Sequence, residues 1–119
     1  MDIQIKIGSV TVNAQLHDTP TGREIYNSLP FSHIIHVWGK EAYCSTALTL
    51  PHDNTSSESV ESGDIAYWPT GNCFCLFWGQ QPISAVNICG KITSDLSVLN
   101  SIRDNETISV SKQYILNTN

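Results

Sequence analysis

Glu41 is the charged residue whose surroundings are best suited to chemistry. It lies three residues after Trp38 and two before Tyr43, and alternation along a strand places Glu41 and Tyr43 on one face. A carboxyl group in an aromatic pocket loses solvation, which raises its pKa and fits it for general acid or base catalysis. Glu41 is therefore the candidate catalytic residue. The competing interpretation is a surface glutamate, or one that hydrogen-bonds the loop amides of the Trp-Gly turn.

Aromatic residues around Glu41 indicate a ligand-binding cleft. Apolar pockets with a few polar groups are the usual form of small-molecule sites. The predicted ligand-binding residues are Trp38, Glu41, Tyr43, Tyr67 and Phe77. Ordinary core packing is the alternative for some of these rings, because alternation directs Tyr67 and Trp68 to opposite faces of their strand.

Cysteine and histidine spacing does not favour a metal site. The four cysteines are Cys44, Cys73, Cys75 and Cys89. Structural zinc prefers two cysteines separated by two residues at a turn, whereas Cys73 and Cys75 lie two apart on one strand face. His33 and His36 would point to opposite faces of a strand. We therefore predict no metal and no cofactor, and cysteines that stay as thiols and pack as small buried hydrophobes.

A central hairpin organises the chain. Strands Ile65–Trp68 and Cys73–Trp78 flank a turn that contains Pro69 and Gly71, which is a hairpin signal. Both faces of the second strand are apolar, so both should be covered. In a small antiparallel protein this favours a closed or nearly closed barrel.

The whole pattern predicts eight strands and two short helices. The strands are Asp2–Ile7, Val10–Leu16, Phe31–Trp38, Glu41–Ala47, Ile65–Trp68, Cys73–Trp78, Val86–Ile92 and Thr107–Tyr114. The first helix should begin at the capping box from Thr21 to Glu24 and end before Pro30. Thr93 or Ser94 should cap the second helix. Gly90, inside a strand, indicates a bulge or a close backbone approach.

Composition limits the classes of partner. The 119 residues, expected to form a single domain over 1–119, carry a net charge of −5 and only six Lys and Arg, which are scattered. Nucleic acid and anionic membrane are therefore poor partners. No apolar run approaches the roughly 20 residues that span a bilayer. The alternating N-terminus does not resemble a signal peptide, so we expect a cytoplasmic protein.

Several short sequence motifs resemble those of a known family. They are Leu29-Pro30, Trp38–Tyr43, Gly63–Trp68, Phe77–Pro82 and Gly90–Ile92. In this order and spacing they resemble small bacterial and archaeal cyclophilin-like proteins of unknown function, from Ile3 to about Val110. The resemblance implies a mainly β, closed eight-stranded antiparallel barrel capped by two short helices, in agreement with the pattern.

The resemblance leaves three functions open. Prolyl isomerases of this fold carry a Phe-His-Arg stretch on a central strand, whereas Arg23 and Arg103 stand in other contexts, so whether the chain is an enzyme stays uncertain. The first hypothesis is a binding module for a small molecule or an extended peptide. The second is weak prolyl isomerase or hydrolase-like activity that uses Glu41. The third is an assembly subunit of a larger enzyme complex, with a homodimer possible.

Overall fold

Ten antiparallel strands and two short helices make up the computed structural model, which describes residues 1–114. The strands are β1 Asp2–Ile7, β2 Val10–Leu16, β3 Phe31–Ile34, β4 His36–Trp38, β5 Glu41–Ser45, β6 Ser56–Ser57, β7 Asp64–Trp68, β8 Cys73–Phe77, β9 Val86–Ile92 and β10 Thr107–Lys112. Helix α1 spans Pro20–Ser28, and a 3-10 helix spans Leu96–Ser101. None of the helices in this part of the chain is long and apolar enough to cross a membrane.

The first hairpin forms as predicted. β1 and β2 have the expected bounds and pair from Asp2 opposite Gln15 to Ile7 opposite Val10. Alternate side chains of both strands are buried, as the strict apolar and polar alternation requires. Gly8 turns the chain with a φ of 57°, which glycine adopts without steric cost.

The sheet is open, which corrects the predicted closed eight-stranded barrel. Nine strands follow the hydrogen-bonded order β3-β10-β1-β2-β9-β7-β8-β5-β4, and β6 pairs with β9. Within residues 1–114, no ladder joins the two ends of this path, β3 and β4. The strand count rises from eight to ten because Phe31–Trp38 divides at Ile35 and because Ser56–Ser57 adds a short strand.

Ile35 carries the chain from one end of the sheet to the other. Its side chain is fully buried. Its N–H donates to the Glu106 carbonyl at 2.8 Å, and its carbonyl accepts from the Asn105 N–H at 2.9 Å. These bonds satisfy the backbone where strand pairing stops. The long apolar run therefore becomes two strands that belong to opposite ends of the same sheet.

β8 is covered on both faces, as predicted. Phe74 and Leu76 belong to the main core, whereas Cys73, Cys75 and Phe77 belong to a second apolar cluster on the other face. The second cluster also takes in side chains that lie outside β8: Val60, Ala66 and Val86. Coverage on both faces had suggested a closed barrel, but neighbouring strands and loop residues supply it while the sheet stays open.

Both helices begin at caps other than the predicted ones. Thr19 caps α1, and its hydroxyl oxygen accepts from the Gly22 N–H at 3.0 Å. The Thr21 hydroxyl instead donates to Asp53 at 2.7 Å, so it cannot serve as the cap. Asp95 caps the 3-10 helix. The end of α1 before Pro30 is confirmed.

Gly90 lies at both features that its position predicted. Pairing between β7 and β9 shifts at this point, where Ile65 faces Gly90 and Ala66 faces Ile88. A Cβ atom added at Gly90 would lie 2.5 Å from the Gln15 carbonyl oxygen, so β2 and β9 approach closely here. The bulge and the close backbone approach are both confirmed.

Candidate functional site

A cleft of about 340 Å³ lies over one face of β5 and β8. Its lining is mostly aromatic and aliphatic and consists of Trp38, Glu41, Tyr43, Trp68, Cys75, Phe77, Pro82, Ile83, Ser84 and Val86. The volume falls within the range of small-molecule sites, roughly 300–1,000 Å³. The structure therefore brings together four of the five predicted ligand-binding residues.

Glu41 is the one charged residue among those that line the cleft. It begins β5, opposite Trp38 on β4 and Phe77 on β8. The residue is only 8 % exposed, and its buried Oε1 has no hydrogen-bond partner in residues 1–114. Burial raises the pKa of this carboxyl from 4.5 to about 7. Near neutral pH the side chain is thus both a proton donor and an acceptor.

Aromatic rings enter the cleft from four strands. Tyr43 follows Glu41 on the same face of β5, and Phe77 approaches from β8. Trp38, on the edge strand β4, is 48 % exposed and lies at the rim. Trp68, from β7, donates its Nε1–H to the Ser84 hydroxyl at 2.7 Å. The rings provide contact area, and Glu41 provides the polar group.

The segment after Gly79 forms one wall of the cleft. The Gln81 side chain accepts from the Val60 N–H at 2.9 Å and donates to the Val60 carbonyl at 3.0 Å. The following residues, from Pro82 to Ser84, line the cleft. They were missed by strand patterns because they lie in a loop. The available signal was an apolar residue, Ile83, directly after Pro82 in a segment without a strand pattern.

Tyr67 is the predicted ligand-binding residue that the structure does not bring to the cleft. Its ring is fully buried in the main core. Its hydroxyl donates to the Leu48 carbonyl at 2.7 Å and accepts from the Leu50 N–H at 3.2 Å. Alternation sends Trp68 to the other face, and Trp68 lines the cleft in its place.

Asp64 follows Gly63 and begins β7 directly after a turn. Its carboxylate accepts from the Glu61 N–H at 2.8 Å within a turn and from Lys91 Nζ at 3.2 Å. The Glu61 N–H bond joins the start of the turn to β7. Asp64 therefore shapes the turn and stays outside the cleft.

The four cysteines are free and buried, as predicted. Burial raises the pKa of Cys75, which reaches the cleft, well above its ordinary value. That thiol therefore stays protonated and is a poor nucleophile. Across residues 1–114, no three His, Cys, Asp or Glu side chains are placed to hold a metal ion.

Neither arginine lies in the cleft. Arg23, on α1, pairs with Asp18 at 2.7 Å, and both side chains are largely exposed. Arg103 is exposed near the turn before β10. The arginine that prolyl isomerases of this fold use therefore has no counterpart among the cleft residues.

Comparison with known proteins agrees with the fold. A family model described as cyclophilin-like matches residues 1–111. The solution structure of the hypothetical protein AF2241 from Archaeoglobus fulgidus is similar, with 31 % identity, 95 % of each chain covered and a TM-score of 0.82. The structure of McbB in complex with tryptophan shares the fold at 15 % identity and a TM-score of 0.76, over 98 % of this chain and 46 % of McbB. A search of curated proteins finds no match.

Proposed function

This chain belongs to the cyclophilin-like family, and from that premise we propose that it is a binding protein that holds a small organic molecule in the cleft over β5 and β8. The observation that carries the proposal is the buried Oε1 of Glu41, which has no partner in residues 1–114. Buried polar atoms are nearly always hydrogen-bonded, because an unpaired one costs about 1–3 kcal/mol. A bound molecule with a suitable donor would remove that cost.

A small molecule suits the cleft better than an extended peptide does. A peptide that added a strand would pair with the free edge of β4. There the Val37 N–H already donates to Asp104 Oδ1 at 3.0 Å. An added strand would have to displace this bond, whereas a small molecule in the 340 Å³ cleft would leave it intact.

Binding can be tested with a set of small aromatic compounds and the change in melting temperature that each causes. We expect some members to raise the melting temperature, because ligands of the folded state stabilise it by mass action. Trp38→Ala should weaken their binding about tenfold, since aromatic anchors contribute strongly to affinity. Trp38 is half exposed, so this change should leave the fold intact.

Ile34→Ala is the matched control. Ile34 is 50 % exposed and lies on β3, outside the cleft lining. Its removal deletes a similar apolar surface without touching the site. The proposal fails if no compound in the set stabilises the protein, or if Ile34→Ala weakens binding as much as Trp38→Ala does.

We also propose acid–base catalysis by Glu41 as a second function. The observation that favours it is the pKa of about 7, which suits proton transfer at neutral pH. Turnover of a proline-containing peptide that is lost in Glu41→Gln and kept in Arg23→Ala would support this role. Equal turnover in wild type and Glu41→Gln would refute it.

A further inference from the structure

We propose that the ligand of this cleft is an organic ammonium cation that donates an N–H to Glu41 and lays its apolar body against the aromatic rings. This inference rests on the proposed binding function and specifies its ligand class. It follows from three features of the site: an uncompensated carboxyl group, the absence of any cation in the lining, and the aromatic rings that surround the carboxyl.

The carboxyl of Glu41 has no ionic partner. No Lys, Arg or His is among the lining residues, and Glu41 takes part in none of the ion pairs found within residues 1–114. Lys40 precedes Glu41, but its stem lies against the backbone of Gly79, where an added Cβ would be 2.7 Å from Lys40 Cδ. An ionised Glu41 therefore has no positive charge beside it in the cleft lining.

Other titratable groups near Glu41 do not supply that charge. β8 contributes the thiols of Cys73 and Cys75, whose pKa values are raised by burial, so both are neutral. Tyr43 shares the face of β5. The His36 ring on β4 lies 5.5 Å from the Tyr43 ring, and its Nδ1 is 3.6 Å from Asp104. None of these groups forms an ion pair with Glu41.

Anionic, neutral and cationic ligands would interact differently with the Glu41 carboxyl and the rings around it. A carboxylate or phosphate would place a second negative charge beside Glu41 with no cation to offset it. A neutral donor would satisfy Oε1 but would leave an ionised carboxyl uncompensated. An ammonium group does both, and the faces of Trp and Tyr rings attract cations by about 0.5–2 kcal/mol. The low polarity of the cleft strengthens the charge pair relative to water.

Cation binding should be coupled to proton release. In the free protein Glu41 is mostly protonated at pH 6 and mostly ionised at pH 8, because its pKa is about 7. A bound ammonium group holds the carboxylate ionised, so the apparent affinity should rise about tenfold from pH 6 to pH 8. Roughly one proton should be released for each ligand bound at pH 6, and almost none at pH 8. An alkylammonium ion stays charged throughout this range.

Three matched compounds test the charge preference by isothermal titration calorimetry. They are 2-phenylethylammonium, the neutral 2-phenylethanol and the anion phenylacetate. We expect the ammonium ion to bind at least tenfold more tightly than either of the others at pH 8. Titration in two buffers of different ionisation enthalpy counts the protons released at pH 6.

Two variants separate this inference from the binding function. Glu41→Gln should reduce the affinity of the ammonium ion to that of the alcohol and abolish proton release, while the alcohol binds as before. Glu58→Gln removes an exposed carboxyl outside the cleft and should change neither.

The outcomes distinguish the two proposals. Equal or tighter binding of the alcohol or of phenylacetate overturns the cation inference and leaves the binding function standing. Failure of all three compounds, or ammonium binding without proton release at pH 6, also overturns it. The binding function itself is tested separately, by the wider set of aromatic compounds and by the comparison of Trp38→Ala with Ile34→Ala.

Discussion

Glu41 occupies a buried position, which disfavours the ionised form of its carboxyl group. It begins a strand between two aromatic neighbours in the sheet, Trp38 and Phe77, and no side chain in residues 1–114 pairs with its Oε1. Perturbed titratable groups in clefts are typical of functional sites. The desolvation also has a thermodynamic consequence, because a raised pKa in the folded state makes stability depend on pH.

The free energy of unfolding should fall as pH rises from about 4.5 to 7. In this window the folded protein keeps a proton on Glu41 that the unfolded chain releases, and above pH 7 this contribution is lost. The full shift is equivalent to about 3 kcal/mol, and solvent in the open cleft should reduce the loss to about 1–2 kcal/mol. Glu41→Gln, which cannot ionise, should stay close to wild type at pH 5, where about a quarter of the loss has occurred, and should exceed it most at pH 8.

Urea unfolding at the two pH values measures this difference. Glu58→Gln serves as the control, because that side chain is exposed and lies outside the cleft, so the variant should give the wild-type pH profile. If Glu41→Gln and wild type differed by the same free energy at pH 5 and pH 8, Glu41 would not have a raised pKa in the folded protein.

At the level of single residues, the sequence predicted part of the lining of the candidate site. Alternation along β5 correctly put Glu41 and Tyr43 on one face, because the strand is regular. It also separated Tyr67 from Trp68, but periodicity alone could not say which face was the cleft. That choice depends on where the wall from Pro82 to Ser84 folds back, and this segment has no periodic pattern.

A buried polar network joins three elements of the fold. Asn87 on β9 donates to the Thr21 hydroxyl of α1 and to the Pro51 carbonyl, each at 2.9 Å. Its Oδ1 accepts from the Asp53 N–H at 3.1 Å. Burial works to raise the pKa of Asp53, but hydrogen bonds from Thr55 and Thr21 outweigh it and keep the pKa below its ordinary value. The network anchors the loop between β5 and β6, which contains Pro51 and Asp53, to α1 and β9.

Asn87→Ala should destabilise the fold by about 2–3 kcal/mol, because it leaves buried donors and acceptors unpaired. Asn87 is fully buried, so water cannot readily replace the lost amide. Urea unfolding measures the change. Asn27→Ala, on an exposed position of α1, should be neutral or slightly stabilising. A loss below about 0.5 kcal/mol for Asn87→Ala would show that the network is not essential.

Element boundaries were predictable where local pattern decides them and not where a distant partner does. Strict alternation gave β1 and β2 their correct bounds. The division at Ile35 depends on bonds to Asn105 and Glu106, about 70 residues away. Likewise, Ser56–Ser57 has no strand pattern and becomes β6 because β9 lies beside it.

At the scale of the whole molecule, the sheet formed by the described residues, 1–114, has two free ends, and the two end strands are consecutive in the chain. In this part of the chain β3 pairs only with β10 and β4 only with β5. Strands with one neighbour open at lower free energy than strands held on both sides. We therefore expect the ladder-bonded amides of β3 and β4 to exchange hydrogen at least about tenfold faster than those of β1 and β8.

Hydrogen exchange followed by mass spectrometry can measure this contrast. The comparison uses amides bonded within each ladder, so that solvent exposure of the outer edge does not decide the result. Equal protection of β3, β4 and the inner strands, with slow exchange of outward-facing amides at both ends, would mean that a further ladder closes the sheet in solution.

Two hydrogen bonds between the Gln81 side chain and the Val60 backbone hold the segment that forms one wall of the cleft. A side-chain amide here does what a neighbouring strand would do, and the Ser84 hydroxyl fixes the far end of the segment to Trp68. A small molecule that bound here, as we propose, would enter a cleft whose wall is already in place, so little conformational entropy would be lost on binding. Related ligands should then have similar association rate constants and differ mainly in residence time.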